Sequence, residues 1–154
     1  MASVQTKMPE EFLLKVSRLG DQTDAIVAKT LEAGGKVVLN KVRGNLRAVV
    51  GKGIKYKRRS TGELEGALGL SPAKVNWKGN HDIKVGFNEP RRKQSAARGK
   101  RSYKEATNAM IATVLEYGRH GQPPKPFLKP AKSASRKPCQ EEMQRTLEEE
   151  IDKL

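Results

Sequence analysis

The chain has 154 residues, a length that fits one domain able to bury roughly 70% of its unfolded surface without staples. Its composition is 36% hydrophobic and 31% charged, and its one cysteine, Cys139, excludes an internal disulfide framework and points to a reducing compartment. The net charge is +14, and the longest nearly unbroken apolar stretch, residues 109–115, is too short to span a bilayer, so neither a membrane span nor a secretory leader is expected.

In chain order, Phe12, Leu13, Val16 and Leu19 follow Pro9, Glu10 and Glu11 at helical spacing and predict a short helix ending at Gly20. Asp21 then suits an N-cap. Ile26, Val27, Leu31, Val38, Val42, Leu46 and Val49 recur about every fourth residue, predicting a long helix to about Val50 whose apolar face carries the core. Gly34 and Gly35 interrupt that face, which calls for a local kink or for close approach of another backbone, with the kink preferred.

Residues 51–62 turn polar and basic and read as a loop. Alternation places Val75 and Trp77 on one face of a strand over residues 73–77, and Ile83, Val85 and Phe87 on one face of a second strand over 82–87. Lys78, Gly79, Asn80 and His81 supply the turn, so the pair predicts an antiparallel hairpin with one buried face covered by the long helix. Residues 89–104 carry Arg91, Arg92, Lys93, Arg98, Lys100, Arg101 and Lys104 with almost nothing apolar, and predict a flexible basic arm.

Ser102 and Glu105 have capping-box spacing ahead of a second helix that ends at Gly118. Residues 119–130, with Pro123, Pro124, Pro126 and Pro130, predict an extended, stiff path. Cys139, Met143, Leu147, Ile151 and Leu154 form the apolar stripe of a C-terminal amphipathic helix. The fold class is therefore α+β, a small antiparallel sheet packed against a long helix, with a second helix and a C-terminal one, forming a single domain over residues 1–154.

Charge is unevenly spread. Residues 51–104 hold 15 basic against 4 acidic residues, whereas residues 139–154 hold 2 against 6. A basic centre can neutralise phosphates or face acidic protein surfaces. With only 5% aromatic residues and none between Pro90 and Ser102, a base-stacking platform is absent, which leaves a clamp on the phosphate backbone through residues 52–59 and 91–104 as the nucleic-acid alternative.

Chemistry-bearing groups are few. His81 sits in the hairpin turn and His120 in a Gly- and Pro-rich loop, Gly51-Lys52-Gly53 lacks the spacing of a phosphate-binding loop, and Glu148, Glu149 and Glu150 splay around a helix. The expectation is a protein that is not an enzyme and has no cofactor or metal.

Two further stretches stand out, Thr61-Gly62-Glu63-Leu64 with the Gly66-Ala67-Leu68-Gly69 after it, and Val114-Leu115-Glu116-Tyr117-Gly118 with the later Lys125-Pro126-Phe127-Leu128-Lys129-Pro130-Ala131; both resemble the tail-component family of long-tailed bacteriophages, whose members are called tail-completion or head–tail joining proteins. The first is Thr61-Gly62-Glu63-Leu64 followed by Gly66-Ala67-Leu68-Gly69, similar to the family's threonine-glycine-x-leucine turn. The second is Val114-Leu115-Glu116-Tyr117-Gly118, then Pro124, then Lys125-Pro126-Phe127-Leu128-Lys129-Pro130-Ala131, similar to its leucine-glutamate-aromatic-glycine and proline-phenylalanine-leucine signature. The chain departs at Arg59 and Ser60, where the family commonly has a proline, and in its longer, more basic 89–104 segment.

What the resemblance implies is a structural virion protein of the neck or tail. Six copies would form a ring at the head-proximal end of the tail, beside connector or stopper, tail terminator and tail tube proteins, leaving a channel in which DNA could be touched. Assembly would occur in the host cytoplasm. The resemblance makes Thr61, Gly62, Leu64, Glu116, Tyr117, Gly118, Pro126, Phe127, Leu128 and Pro130 candidates for a subunit interface. The basic arm, Arg91, Arg92, Lys93, Arg98, Lys100 and Arg101, would face a partner or DNA.

Elementary physics adds three expectations. Gly118 allows a sharp helix end. Glu116 near a helix C-terminus is disfavoured by the macrodipole and needs a basic partner such as Arg119 or a neighbour's lysine. Burying Phe127 and Leu128 contributes roughly 3–5 kcal/mol, whether against the chain's own core or against an adjacent subunit.

Overall fold

The computed structural model describes residues 10–50, 62–88 and 107–153, with side chains from residue 20 onward except Asp21. Helix α1 spans Glu10–Val49, α2 Glu63–Ala67, α3 Asn108–Tyr117 and α4 Leu128–Ile151. The strands are β1 Leu68–Leu70, β2 Lys74–Val75, β3 His81–Asp82 and β4 Val85–Phe87. The α+β class holds, with a small antiparallel sheet system on a long helix.

The first departure from expectation lies in α1, which runs unbroken through Gly20 and Asp21 for 40 residues. A glycine inside a helix costs about 1 kcal/mol and an aspartate less, too little to end a helix that tertiary packing sustains. Nor do Gly34 and Gly35 break it. They make room for side chains on either side: a Cβ at Gly34 would lie 2.5 Å from Met143 Cγ on α4, and one at Gly35 would lie 2.7 Å from Leu70 Cδ1 on β1.

Those two glycines mark the layering. Helix α4 runs antiparallel along one side of α1, with Lys29 Nζ 2.7 Å from Glu150 at one end and Asn45 Nδ2 donating to the Phe127 carbonyl at 3.2 Å near the other. The strands lie along another side, with His81 Nε2 3.1 Å from Asp24. The apolar core collects around the C-terminal half of α1, where Val42 and Leu46 pack with Leu64, Leu68, Ala112, Phe127 and Ala131.

The hairpin differs from the expected one in register. β1 pairs with β4, Leu68 opposite Phe87 and Leu70 opposite Val85, while β2 pairs with β3, Lys74 opposite Asp82. Ser71 joins the two rungs, its N–H donating to the Lys84 carbonyl at 2.8 Å and its Oγ accepting from Lys84 N–H at 2.9 Å. The predicted strand over 73–77 stops at Val75, because the Asn76 side chain accepts from the N–H groups of Lys78 and Asn80 and starts the turn there. Val75 and Trp77 are consequently 57% and 90% exposed, the reverse of the burial expected for them.

Helix α3 begins at Asn108, where the Thr107 hydroxyl accepts from Met110 N–H at 3.1 Å, so Thr107 is the cap; Ser102 and Glu105 lie outside the described residues. It ends as expected at Gly118, with φ +77°. The following segment is not uniformly extended: Arg119 and Gln122 exchange backbone hydrogen bonds of 3.0 and 2.8 Å across a tight turn. Helix α4 begins at Leu128, eleven residues ahead of its predicted apolar stripe, and tolerates both Pro130 in its first turn and Pro138 inside it. At Pro130 the missing N–H would have had no partner within the helix anyway.

Candidate functional site

Residues of the second motif meet at the joint between α3 and α4. Glu116, on the last turn of α3, has a buried carboxylate that accepts three backbone hydrogen bonds: Phe127 N–H and Leu128 N–H reach Oε2 at 2.8 Å each, and Lys129 N–H reaches Oε1 at 2.9 Å. These are the orphan donors at the start of α4. The next position, Pro130, has no N–H, and Ala131 N–H already bonds the Phe127 carbonyl at 3.3 Å. The first turn of α4 is thus fully satisfied, and the anion sits at the positive end of that helix.

Burial pushes the Glu116 carboxyl up, but the three N–H donors together with the Lys129 charge outweigh it and hold the group below the ordinary carboxylate range. The expected basic partner for Glu116 is therefore mainly the start of α4 itself. Arg119 does not fill that role.

Gly118 makes the joint possible. A Cβ there would lie 2.8 Å from the Gln122 carbonyl oxygen and 2.9 Å from Pro124 N, and the positive φ is itself unfavourable for other residues. Lys125 N–H returns to the Leu115 carbonyl at 2.7 Å, and the chain then delivers Phe127 to the core. Phe127 has no exposed surface and meets Phe87 edge-on, with ring centroids 6.2 Å apart. It belongs to the chain's own core, as does the half-buried Leu128 beside it.

Leu64 is buried in the same cluster, at the start of a short helix that Gly62 introduces with φ +73°. Thr61 and the arm residues Arg91, Arg92, Lys93, Arg98, Lys100 and Arg101 lie outside the described residues. Of the remaining candidates, Tyr117, Pro126 and Pro130 stay on the surface, and Lys129 Nζ lies 5.1 Å from the centroid of the Tyr117 ring.

Sequence reasoning missed Asn108 entirely. It is buried, and its Nδ2 donates to the Asn88 carbonyl at 2.9 Å, clasping the two ends of the basic segment, while its Oδ1 finds no donor among the described residues. Nothing in composition marks it, since a buried asparagine and an exposed one read alike.

The reactive side chains are dispersed. His81 contacts Asp24, His120 is exposed, and burial pushes the Cys139 thiol up, which disfavours the thiolate. Among the described residues no group of three or more His, Cys, Asp or Glu is arranged to hold a metal, and no helix is long and apolar enough to cross a membrane.

Fold and joint define a class first: a small α+β protein in which Leu64, Glu116, Gly118 and Phe127 cap and pack the chain's own elements. Membership follows from comparison, for the family described as "Bacteriophage HK97-gp10, putative tail-component" matches residues 10–118, and the chain belongs to it. The protein is a structural tail component of a bacteriophage virion, working among other phage structural proteins. The matched range ends at Gly118, so the Pro124–Ala131 part of the signature lies beyond it. No curated protein and no solved structure matches the chain.

Proposed function

We propose that the protein acts by assembly rather than catalysis, as a ring of six copies at the head-proximal end of the tail that completes the tail and joins it to the head. The family match carries this reading, and the α3–α4 joint supports it. A carboxylate-capped joint and a fully buried Phe127 fix the orientation of a 24-residue helix against a 40-residue one, the rigidity a subunit of such a ring requires.

The experiment is a cryo-electron microscopy reconstruction of the neck, paired with virions lacking the chain. The reading requires a ring density that fits this fold between connector and tube, and filled heads that accumulate unjoined to tails when the chain is missing. Joined virions without it would overturn the reading.

The net charge of +14 favours a second reading, in which residues 52–59 and 91–104 hold DNA in the channel. Counterion release would then make affinity fall steeply as salt rises.

A further inference from the structure

Two apolar surfaces lie uncovered beside the N-terminal half of α1, away from the core. The first is the hairpin tip, where Trp77 is 90% exposed beside Val75 at 57%, on a turn held by the Asn76 side chain. Exposed Lys74 and Lys78 flank it, with Lys78 Nζ 4.8 Å from the indole centroid. A rigid aromatic anchor loses little freedom on docking.

The second is the distal part of α4. Leu147 and Ile151, one turn apart, are 38% and 43% exposed, because the seam against α1 runs through Ser135, Cys139 and Met143 and leaves them at its edge. Exposed Glu148 and Asp152 follow on the acidic side of that strip. One surface is apolar and basic and the other apolar and acidic, so they are complementary in both respects.

Their placement matters as much as their chemistry. The hairpin is tied to α1 at Asp24 by His81, and α4 is tied to it at Lys29 by Glu150. Five residues of helix put the two levels only about 7.5 Å apart, while Asp24 with Lys29 and Gly35 with Gly34 place the strands and α4 on broadly opposite sides of α1.

Matching patches at nearly one level of α1 relate successive copies with little step along that helix, as a contact within a closed ring requires. The geometry points to a head-to-tail contact in which the Trp77 tip of one copy docks on the Leu147–Ile151 strip of the next. This rests on the ring reading above and names the surfaces that make it.

The test uses the full-length chain, with native mass spectrometry to count copies and circular dichroism to verify folding. Reversing Lys74→Glu with Lys78→Glu is expected to lower the ring population at least tenfold, as is Glu148→Lys with Asp152→Lys. All four together in one chain should restore it. In a Cys139→Ser background, Trp77→Cys with Leu147→Cys should oxidise to a ladder of linked copies, whereas either cysteine alone gives dimers at most.

Rings that survive both reversals without a ladder overturn this interface and leave the ring reading standing. Loss in both reversals without rescue also overturns it. A wild-type chain that is monomeric at every concentration overturns both.

Discussion

Glu116 caps a helix that starts twelve residues after it, the work usually done by a side chain adjacent to the helix it caps. Removing it with Glu116→Ala leaves up to three buried donors unpaired, a cost of about 3 kcal/mol or more. The midpoint of thermal unfolding should fall by about 6–12 °C for a chain of this size. Because the folded pKa lies below the ordinary value, this stabilisation is fully present above the unfolded carboxyl range and is lost as pH falls through the folded value. Glu116→Gln, with no proton to gain, should therefore lose less stability than the wild type on acidification below about pH 4.5. Equal acid sensitivity in both proteins would remove Glu116 from this account. Phe127→Ala empties a fully buried site and should cost about 3–5 kcal/mol in chemical denaturation. A variant of full stability that fails to join heads to tails would restore the interface role that its position in the motif first suggested.

At the scale of elements, α1 separates two kinds of glycine. Gly20 has open space where a Cβ would be added, whereas Gly34 faces Met143 and Cys139 at 2.5 to 3.0 Å. Gly20→Ala should stabilise the protein by up to about 1 kcal/mol, since the helix is continuous there; if Gly20 instead ended a helix in a left-handed cap, the same change would destabilise. Gly34→Ala should destabilise by about 1–3 kcal/mol as α4 is pushed away, and Gly34→Ala with Met143→Ala should recover part of that loss. Thermal melts of the three variants decide both points. The periodicities of α1 and α3 were legible because long amphipathic faces average over many residues. What misled were local signals: Gly20-Asp21 looks like a helix boundary but was outweighed by the helix around it, and the alternation of Val75 and Trp77 looks like a strand face until Asn76 turns the chain. Pro130 and Pro138 hid the first half of α4, since sequence reasoning treats proline as a breaker without knowing which carbonyls are spoken for.

At the scale of the whole molecule, the α+β class could be read from apolar periodicity and the family from two short motifs, but the purpose of those motifs could not. Glu116, Gly118 and Phe127 look like a surface signature in sequence, and only their convergence shows that they weld α3 to α4. What the basic middle faces is a matter for assembly. Changing Arg91, Arg92 and Lys93 to glutamate should block incorporation into tails purified without DNA if the partner is an acidic protein surface, because like charges then oppose each other. Normal incorporation into such tails, with weakened and less salt-dependent DNA binding, would assign the segment to DNA instead.

The Asn88–Asn108 clasp has an engineering corollary. It ties Asn88, just after β4, to Asn108 at the start of α3, and so holds those two elements together by a contact of their own. Closing a longer flexible loop on such a clasp is cheap, about 0.6 kcal/mol for each doubling of length. A peptide inserted between Asn88 and Asn108 should therefore cost little melting temperature, because the clasp that holds β4 and α3 together lies outside the insertion.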